Sequence, residues 1–256
     1  MRKYILLVTI VIAFSVVESF ASTKLFSMNI HCMKDSWKQR VSLILDRAIE
    51  LNSDFINLQE ICSYKDESMN KFILSYLKTK TGINWHANTH FMHLAWDKYD
   101  EFIGLYTKHT PQKIDSGFLP NSPLQRAYAA TKVDGIWFVG VHLEHSNEWG
   151  KYRKEQIEFL LNKFGNEKTI IMGDFNSGFD WPEQQSFITS NWRSFFPGLT
   201  YPSQKPYKAI DGFWMSPNLK VNIKQVQMLL NTPKLIGNRL IHLSDHFGVF
   251  LKFDEL

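Results

Sequence analysis

The chain has 256 residues, of which 44% are hydrophobic and 21% charged, and its formal net charge is +4. This composition excludes an intrinsically disordered protein, and the lack of basic blocks argues against a clamp that tracks nucleic acid by charge alone. The mild positive excess suits a polyanionic or phosphate-bearing partner without requiring one. No internal sequence repeat or Pro/Gly/Ser-rich linker divides the chain, so we expect one large domain.

The N-terminus has the three-part pattern of a secretory signal peptide. Two basic residues precede an apolar run over residues 4–17, and Ser19-Phe20-Ala21 places small residues at the −3 and −1 positions of a cleavage site. The run is short for a membrane span, with an uncleaved anchor as the alternative. We predict a signal peptide over residues 1–21, a single domain over residues 22–256, and a secreted or periplasmic protein.

Strands and helices alternate along the rest of the chain. The predicted strands cover residues 24–30, 54–60, 83–92, 101–107, 127–133, 136–144, 168–173, 209–215, 221–229 and 246–253. The predicted helices cover residues 35–52 with Asp35 as N-cap, 67–82 with Gly82 after the last turn, 150–165, and a short segment from Pro182. Interleaved strands and helices predict an α/β protein whose helices cover a sheet.

The predicted export bears on the redox state of the two cysteines. In an oxidising compartment, a pair of cysteines and no others indicates one disulfide. Cys32 and Cys62 follow the ends of the first two predicted strands, so neighbouring strands would bring their loops together. We expect a Cys32–Cys62 disulfide, worth about 3–4 kcal/mol for a loop of this length, with two independent thiols as the alternative.

Polar side chains recur at or beside the ends of the predicted strands. In GDFN, Asp174 and Asn176 follow an apolar run, and residues i and i+2 of an extended segment share a face. An ordinary turn is the alternative, because Gly, Asp and Asn favour turns. The same placement recurs at Asn29, Glu60, His142, Asp211 and Asp245-His246. Strand ends gather in α/β sheets, so these groups are candidates for one site.

These residues, in this order, resemble the motifs of the endonuclease/exonuclease/phosphatase superfamily, whose fold is deoxyribonuclease-I-like. The matching segments are LQE (58–60), VHLE (141–144), GDFN (173–176), AIDGF (209–213) and SDH (244–246). The resemblance extends over residues 24–253. It implies an α/β (α+β) four-layer sandwich, in which two packed mixed β-sheets are flanked by helices.

The resemblance also implies a metal-assisted hydrolysis of phosphodiesters. Asn29, Glu60 and Asp245 would offer oxygen ligands to a divalent cation. Mg²⁺ is the cofactor that this ligand set favours, and Mn²⁺ or Ca²⁺ are alternatives.

Catalytic roles follow from the same resemblance. Asp211 would orient His246, which would accept a proton from the attacking water. Asn176 and His142 would hold the scissile phosphate, with His142 also stabilising developing charge. Asp174 would orient the water or the catalytic histidines.

Two further matches concern residues outside the main motifs. Glu101 in YDEFIGLY stands where deoxyribonuclease I has a glutamate that supports its first histidine, so it would support His142; an ordinary charge at a strand edge is the alternative. Arg126 in LQRAYAATKV stands where many members have a phosphate-contacting arginine, whose planar fork suits phosphate. Arg153 and Gln156 are expected to be structural.

The motifs indicate the type of reaction more clearly than the substrate, because one fold can act on many substrates. Export argues against intracellular DNA repair, although HLEHS (142–146) is similar to a segment of tyrosyl-DNA phosphodiesterases. We favour a monomeric secreted nuclease acting on DNA or RNA. A sphingomyelinase or phospholipase-C-like lipid phosphodiesterase is the main alternative, because aromatic residues in 83–96 could meet a membrane interface. A catalytically silent binding module is a further alternative.

Overall fold

The computed structural model describes residues 22–146, 148 and 150–256, so the predicted signal peptide lies outside the described residues. The strands are β1 (Thr23–Asn29), β2 (Phe55–Tyr64), β3 (Glu67–Ser68), β4 (His86–Ala95), β5 (Tyr99–Thr107), β6 (Lys113–Phe118), β7 (Ala127–Val133), β8 (Ile136–His142), β9 (Thr169–Asp174), β10 (Arg193–Phe195), β11 (Asp211–Met215), β12 (Val221–Leu229), β13 (Lys234–Ile236), β14 (Arg239–Ile241) and β15 (Gly248–Glu255). The helices are α1 (Trp37–Glu50), α2 (Met69–Thr81), α3 (Gly150–Phe164) and α4 (Gln185–Thr189), the last preceded by a 3₁₀ turn at Pro182–Gln184.

The strands form two mixed sheets and a separate β13–β14 hairpin. One sheet has the order β12-β15-β1-β2-β5-β4 with β3 paired to β2, and the other has the order β10-β11-β9-β8-β7-β6. β1 and β2 are parallel and joined through α1, and β8 and β9 are parallel and joined through α3. Each parallel pair is flanked by antiparallel strands, β15 and β5 in one sheet and β11 and β7 in the other. The four central strands therefore have the same arrangement in both sheets, although the sequence shows no repeat.

Three apolar clusters hold four layers together. Alternation along a strand sends Leu25 of β1 between the sheets and its neighbour Phe26 toward the helices. The inner cluster joins both sheets through Phe55, Ile103, Phe138, Ile170 and Leu251. Outside the sheets, α1 and α2 pack on the first one, and α3 and α4 pack on the second. This architecture confirms the predicted four-layer sandwich.

Most predicted elements are present, with shifted ends. Gly82 ends α2 with φ 72°, as predicted, because glycine adopts the left-handed region readily. The prediction of Asp35 as N-cap is wrong: α1 begins at Trp37, and Ser36 occupies the cap position without a side-chain hydrogen bond. Strands β3, β6, β10, β13 and β14 were not predicted, because they are short or largely exposed and lack a clear apolar alternation. β3 occupies residues 67–68, where the predicted helix 67–82 was expected to begin.

None of the helices among the described residues is long and apolar enough to cross a membrane.

Candidate active site

The two sheets present polar side chains at one edge of the sandwich. In each four-strand centre the parallel strands end at this edge, and their antiparallel neighbours begin there. The seven-stranded sheet contributes Asn29, Glu60, Glu101 and His246, and the six-stranded sheet contributes Arg126, His142, Asp174 and Asp211. Apart from Asp211, which lies behind His246, all of these residues line one cleft of about 800 Å³, together with Asn176 and Asp245.

The GDFN segment turns sharply at the end of β9. Gly173 has φ 148°, and a Cβ atom there would lie 2.0 Å from the carbonyl oxygen of Val141 on the adjacent β8. Asn176 has φ 51°, so the expectation of an extended segment from Asp174 to Asn176 is wrong. The backbone N–H of Asn176 donates to Asp174 Oδ1 (2.8 Å), and its Nδ2 donates to the Leu143 carbonyl (3.0 Å). The segment is therefore a turn, and the turn itself brings both side chains into the cleft.

A bulge in β2 places Glu60. The strand was expected to end at this residue, but it continues to Tyr64, and its pairing with β5 shifts register between Leu58 and Ile61. Glu60 lies at this register shift, and its φ angle is 57°. A bulge of this kind re-aims a side chain, here into the cleft.

Asn29 bridges carboxylates from the two sheets. Its Nδ2 donates to Glu60 Oε1 (2.9 Å) and to Asp174 Oδ2 (3.3 Å), while its Oδ1 accepts from the backbone N–H of His31 (3.0 Å). The amide group of Asn29 thus positions Glu60, and its oxygen is already engaged by backbone.

His246 is held between two carboxylates. Its Nδ1 lies 2.9 Å from Asp211 Oδ2, and its Nε2 lies 3.6 Å from Asp174 Oδ2. Thr200 Oγ1 donates to the same oxygen of Asp211 at 2.5 Å, a contact that no sequence pattern indicated. Burial favours the neutral imidazole, but the charges of Asp211 and Asp174 outweigh it and raise the pKa of His246 to about 10. This environment favours the protonated form of His246.

His142 has the opposite protonation state. Arg126 Nη1 lies 3.1 Å from His142 Nδ1, and a guanidinium can only donate, so Nδ1 accepts and the ring proton is on Nε2. That Nε2 lies 3.5 Å from Asp174 Oδ2. Burial, together with the positive charge of Arg126, lowers the pKa of His142 well below its ordinary value. His142 is therefore a neutral N–H donor.

Glu101 lies beside this pair without bonding to the histidine. Its Oε1 is 3.9 Å from His142 Nδ1 and 3.6 Å from Arg126 Nη1, so the structure brings Arg126, rather than Glu101, into contact with His142. Burial and the charge of Glu60 raise the pKa of Glu101 to about 8. His93 of β4 also faces this carboxyl group, with Nε2 3.7 Å from Glu101 Oε2.

Glu144 was missed as a contributor, although it closes the VHLE motif. It is fully buried, its Oε1 lies 3.7 Å from Arg126 Nε, and its Oε2 accepts from Ser122 Oγ (2.6 Å). The two residues expected to be structural support it: the Gln156 side-chain oxygen accepts from the N–H of Glu144, and Arg153 donates to its carbonyl. Glu144 therefore fixes the loop that carries Arg126.

The cleft contains carboxylate oxygens of the kind that hold a divalent metal. Among the described residues, one group of metal-ligating side chains, Asp174, Asp211 and His246, has ligand atoms within 4.8 Å of one another. The imidazole of His246 stands between these two aspartates, so they suit proton transfer better than an oxygen-rich cation site. Glu60 and Asp245, which are half-buried and line the cleft, offer the oxygen atoms that Mg²⁺ prefers. The charge of Glu60 already raises the pKa of Glu101, and a cation would relieve such repulsion.

Cys32 and Cys62 form the predicted disulfide beside these ligands, with a Cα–Cα distance of 5.2 Å.

Comparison with known proteins identifies the family. Residues 26–246 match the model of the Endonuclease/Exonuclease/phosphatase family. The chain belongs to this family. Its enzymes are phosphodiester hydrolases that generally depend on a divalent metal. No curated protein matches the chain.

Solved structures share the fold of this family member at low sequence identity. A family protein from Leptotrichia buccalis has a TM-score of 0.73 at 18% identity, with 91% of this chain and 99% of that one covered. The human Nocturnin catalytic domain with bound sulfate has a TM-score of 0.68 at 17% identity, covering 92% and 95%. D. rerio TDP2, in complex with a single-stranded DNA product, has a TM-score of 0.67 at 17% identity, covering 91% and 99%.

Proposed function

We propose that this chain is an exported, Mg²⁺-dependent phosphodiester hydrolase that acts on nucleic acid. The observation that carries the proposal is the placement of two buried histidines beside one oxygen of Asp174, with His142 Nε2 at 3.5 Å and His246 Nε2 at 3.6 Å from Oδ2. Asp211 contacts Nδ1 of His246 and favours its protonated form, whereas Arg126 contacts Nδ1 of His142 and favours its neutral form. An acid–base group and a phosphate-oxygen donor beside the same carboxylate suit phosphodiester hydrolysis.

Glu60, Asp245 and the Oδ1 of Asn29 would hold the cation, and the Nδ2 of Asn29 would position Glu60. A bound Mg²⁺ would neutralise phosphate oxygens and offset the carboxylate charge that keeps His246 protonated. The Nε2–H of His142 would donate to a phosphate oxygen, with the second Nδ2 proton of Asn176 beside it. The Nε2 of His246 would exchange a proton with the attacking water, while Asp211 holds its Nδ1. Arg126 would orient His142 and add positive charge at the cleft wall.

Nucleic acid is the preferred substrate on two grounds. The TDP2 structure holds a DNA product on the same fold, and the chain has a positive net charge. A lipid phosphodiesterase is the second candidate, because Leu94 and Trp96 are 52% and 53% exposed at the rim of the cleft. We further propose a signal peptide at residues 1–21, a single monomeric domain over 22–256, and secretion, which the disulfide supports.

The deciding experiment incubates residues 22–256 with plasmid DNA, RNA and sphingomyelin vesicles, each with Mg²⁺ and with EDTA. We expect cleavage of nucleic acid that requires Mg²⁺. Release of phosphocholine with intact nucleic acid would instead establish the lipid phosphodiesterase, and turnover of neither class in the presence of Mg²⁺ would favour the silent binding module.

Two variants test the assigned roles. His246→Ala and Glu60→Ala should each abolish turnover, because one removes the proton-transfer group and the other a metal ligand, while circular dichroism stays unchanged. His86→Ala is the matched control, since this exposed histidine of β4 is not among the residues that line the cleft. Full activity in either test variant would contradict the roles.

A further inference from the structure

The rim of the cleft carries two exposed aromatic rings, each near a lysine. Trp96, in the β4–β5 turn of the first sheet, is 53% exposed, and Lys34 Nζ lies 4.2 Å from the centre of its ring. Tyr207, in the β10–β11 connection of the second sheet, is 64% exposed, and Lys208 Nζ lies 5.7 Å from its ring centre. Trp96, Tyr207 and Lys208 all line the cleft that holds the catalytic histidines.

The backbone at Trp96 is unusual for so large a side chain. Trp96 and Asp97 have φ angles of 50° and 52°, and the N–H of Lys98 donates to the Ala95 carbonyl, so the two residues are the centre of a tight hairpin turn. Turns with two left-handed residues favour Asn-Gly, and a bulky residue with positive φ is an outlier.

Packing explains the position of this indole poorly. Besides Lys34, its ring has edge-to-face contacts with His31 and Tyr99, at centroid distances of 6.3 and 6.0 Å, and more than half of the residue is exposed. Backbone strain of this kind is concentrated at ligand-binding and catalytic sites. A ligand that contacts the indole accounts for both the strain and the exposure.

We propose that Trp96 and Tyr207 are stacking platforms for unpaired bases on either side of the phosphate in the cleft, which makes single-stranded nucleic acid the preferred substrate. Aromatic rings stack on any base, but only where the base is not already stacked within a duplex. Lys34 and Lys208 supply the positive charge that adjacent phosphates require. This inference rests on the proposed function and specifies its substrate class.

Lysine beside each ring favours a strand of nucleic acid over a membrane of zwitterionic lipid such as sphingomyelin. A lipid-facing rim gains from apolar area, whereas stacked rings with ammonium groups match the alternation of bases and phosphates along a strand.

The test measures binding in a His246→Ala background with Mg²⁺ present, so that cleavage does not interfere. Fluorescence anisotropy would compare a labelled oligothymidylate of about 12 nucleotides with a duplex of equal length. We expect tighter binding of the single strand, and a loss of about tenfold in its affinity for Trp96→Asn and for Tyr207→Ala. Trp96→Phe should retain most of the affinity. Phe118→Ala is the control, because Phe118 is 46% exposed but not among the residues lining the cleft.

A stability measurement separates recognition from a structural role. Asparagine suits the left-handed backbone, so Trp96→Asn should unfold at the same or a higher temperature while losing affinity. A lower Tm for this variant, equal affinity for duplex and single strand, or unchanged affinity in Trp96→Asn would each overturn the proposal. Trp96-dependent binding of sphingomyelin vesicles without binding of the oligonucleotide would also overturn it, in favour of a membrane surface. Failure of hydrolysis by the wild-type protein would be seen separately, since this assay measures binding alone.

Discussion

Arg40 is a buried cation that joins two of the loops around the site. It is 2% exposed, and its guanidinium donates to backbone carbonyls in the loop between β1 and α1 and in the loop before Asp245. The acceptors are the carbonyl oxygens of Ile30, His31, Cys32, Lys34, Asp35 and Leu243. Burial lowers the pKa of Arg40 to about 10, so it stays charged at neutral pH. One side chain therefore satisfies backbone groups that would otherwise be buried without donors.

Replacing Arg40 should destabilise the fold strongly. Arg40→Ala leaves several buried carbonyls unsatisfied, and we expect a loss of about 3 kcal/mol or more in the free energy of unfolding. Denaturant titration would measure it. Arg47→Ala on the same helix is the control: its pairing with Glu50 is exposed, so we expect a change below about 1 kcal/mol. Equal effects of the two substitutions would contradict the role given to Arg40.

Alanine substitutions at two glycines test whether close packing against β8 requires glycine at position 173. Gly173→Ala and Gly135→Ala both place a side chain at positive φ, which costs about 1–2 kcal/mol. Only Gly173→Ala also drives a Cβ against the Val141 carbonyl, since nothing lies within 4 Å of the corresponding point at Gly135. We therefore expect Gly173→Ala to lower the unfolding free energy by about 1–3 kcal/mol more than Gly135→Ala. Similar losses would show that φ alone requires glycine at 173.

At the scale of elements, the pairing of β1 with β2 continues beyond the strand ends. The N–H of Ile30 donates to the Gln59 carbonyl and the N–H of Cys32 to the Glu60 carbonyl, each at 3.1 Å. The disulfide from Cys32 to Cys62 closes this extension. Two loops that hold proposed metal ligands are thus joined by both hydrogen bonds and a covalent link.

Removing the disulfide should lower stability and weaken the response to metal. For a link spanning 30 residues, the double variant Cys32→Ala/Cys62→Ala should lose about 3–4 kcal/mol of unfolding free energy. We also expect half-maximal activity to require more Mg²⁺, because Glu60 would be less firmly positioned. Titration of activity with Mg²⁺, at a temperature where the variant is folded, checks the second effect. An unchanged Mg²⁺ midpoint would limit the disulfide to a stabilising role.

At the scale of the whole molecule, the same arrangement of four central strands in both sheets brings the site residues together at one edge. The opposite edge carries a different charge arrangement, centred on Asp54 just before β2. Its carboxylate accepts from the N–H of Lys24 (2.8 Å), and its Oδ1 lies 2.9 Å from Lys108 Nζ and 3.2 Å from His109 Nε2. Burial opposes ionisation, but the contacts with His109 and Lys108 outweigh it and lower the pKa of Asp54.

This carboxylate should contribute to acid sensitivity. Because its pKa is lower in the folded protein, ionised Asp54 stabilises the fold above the unfolded-state pKa, and the contribution disappears as the pH falls below about 4. Asp54→Asn should therefore reduce the unfolding free energy by about 1 kcal/mol at neutral pH and by much less in acid. Denaturant titrations across this pH range measure the difference, with the exposed Asp66→Asn as control. A pH-independent loss would show that shape, not charge, matters at this position.

Much of the site could be predicted from the sequence, because its residues belong to motifs at strand ends. Asn29, Glu60, His142, Asp174 and His246 each lie beside an apolar run, and such local patterns survive without knowledge of the fold. The bulge at Glu60 and the left-handed turn at Asn176 could not be predicted, because both conformations are set by neighbouring strands.

Sequence alone therefore determined the order of most helices and strands, which depends on local periodicity. Its strand-end motifs, through their resemblance to a known family, indicated the four-layer class and the chemical types gathered at one edge. Only the tertiary structure decided that Arg126, rather than Glu101, contacts His142. It also decided that the surroundings of the two histidines shift their pKa values in opposite directions, downward for His142 and upward for His246. Both outcomes depend on distances between residues from different strands and on burial, and these are properties of the packed sheets that no segment of the chain carries by itself.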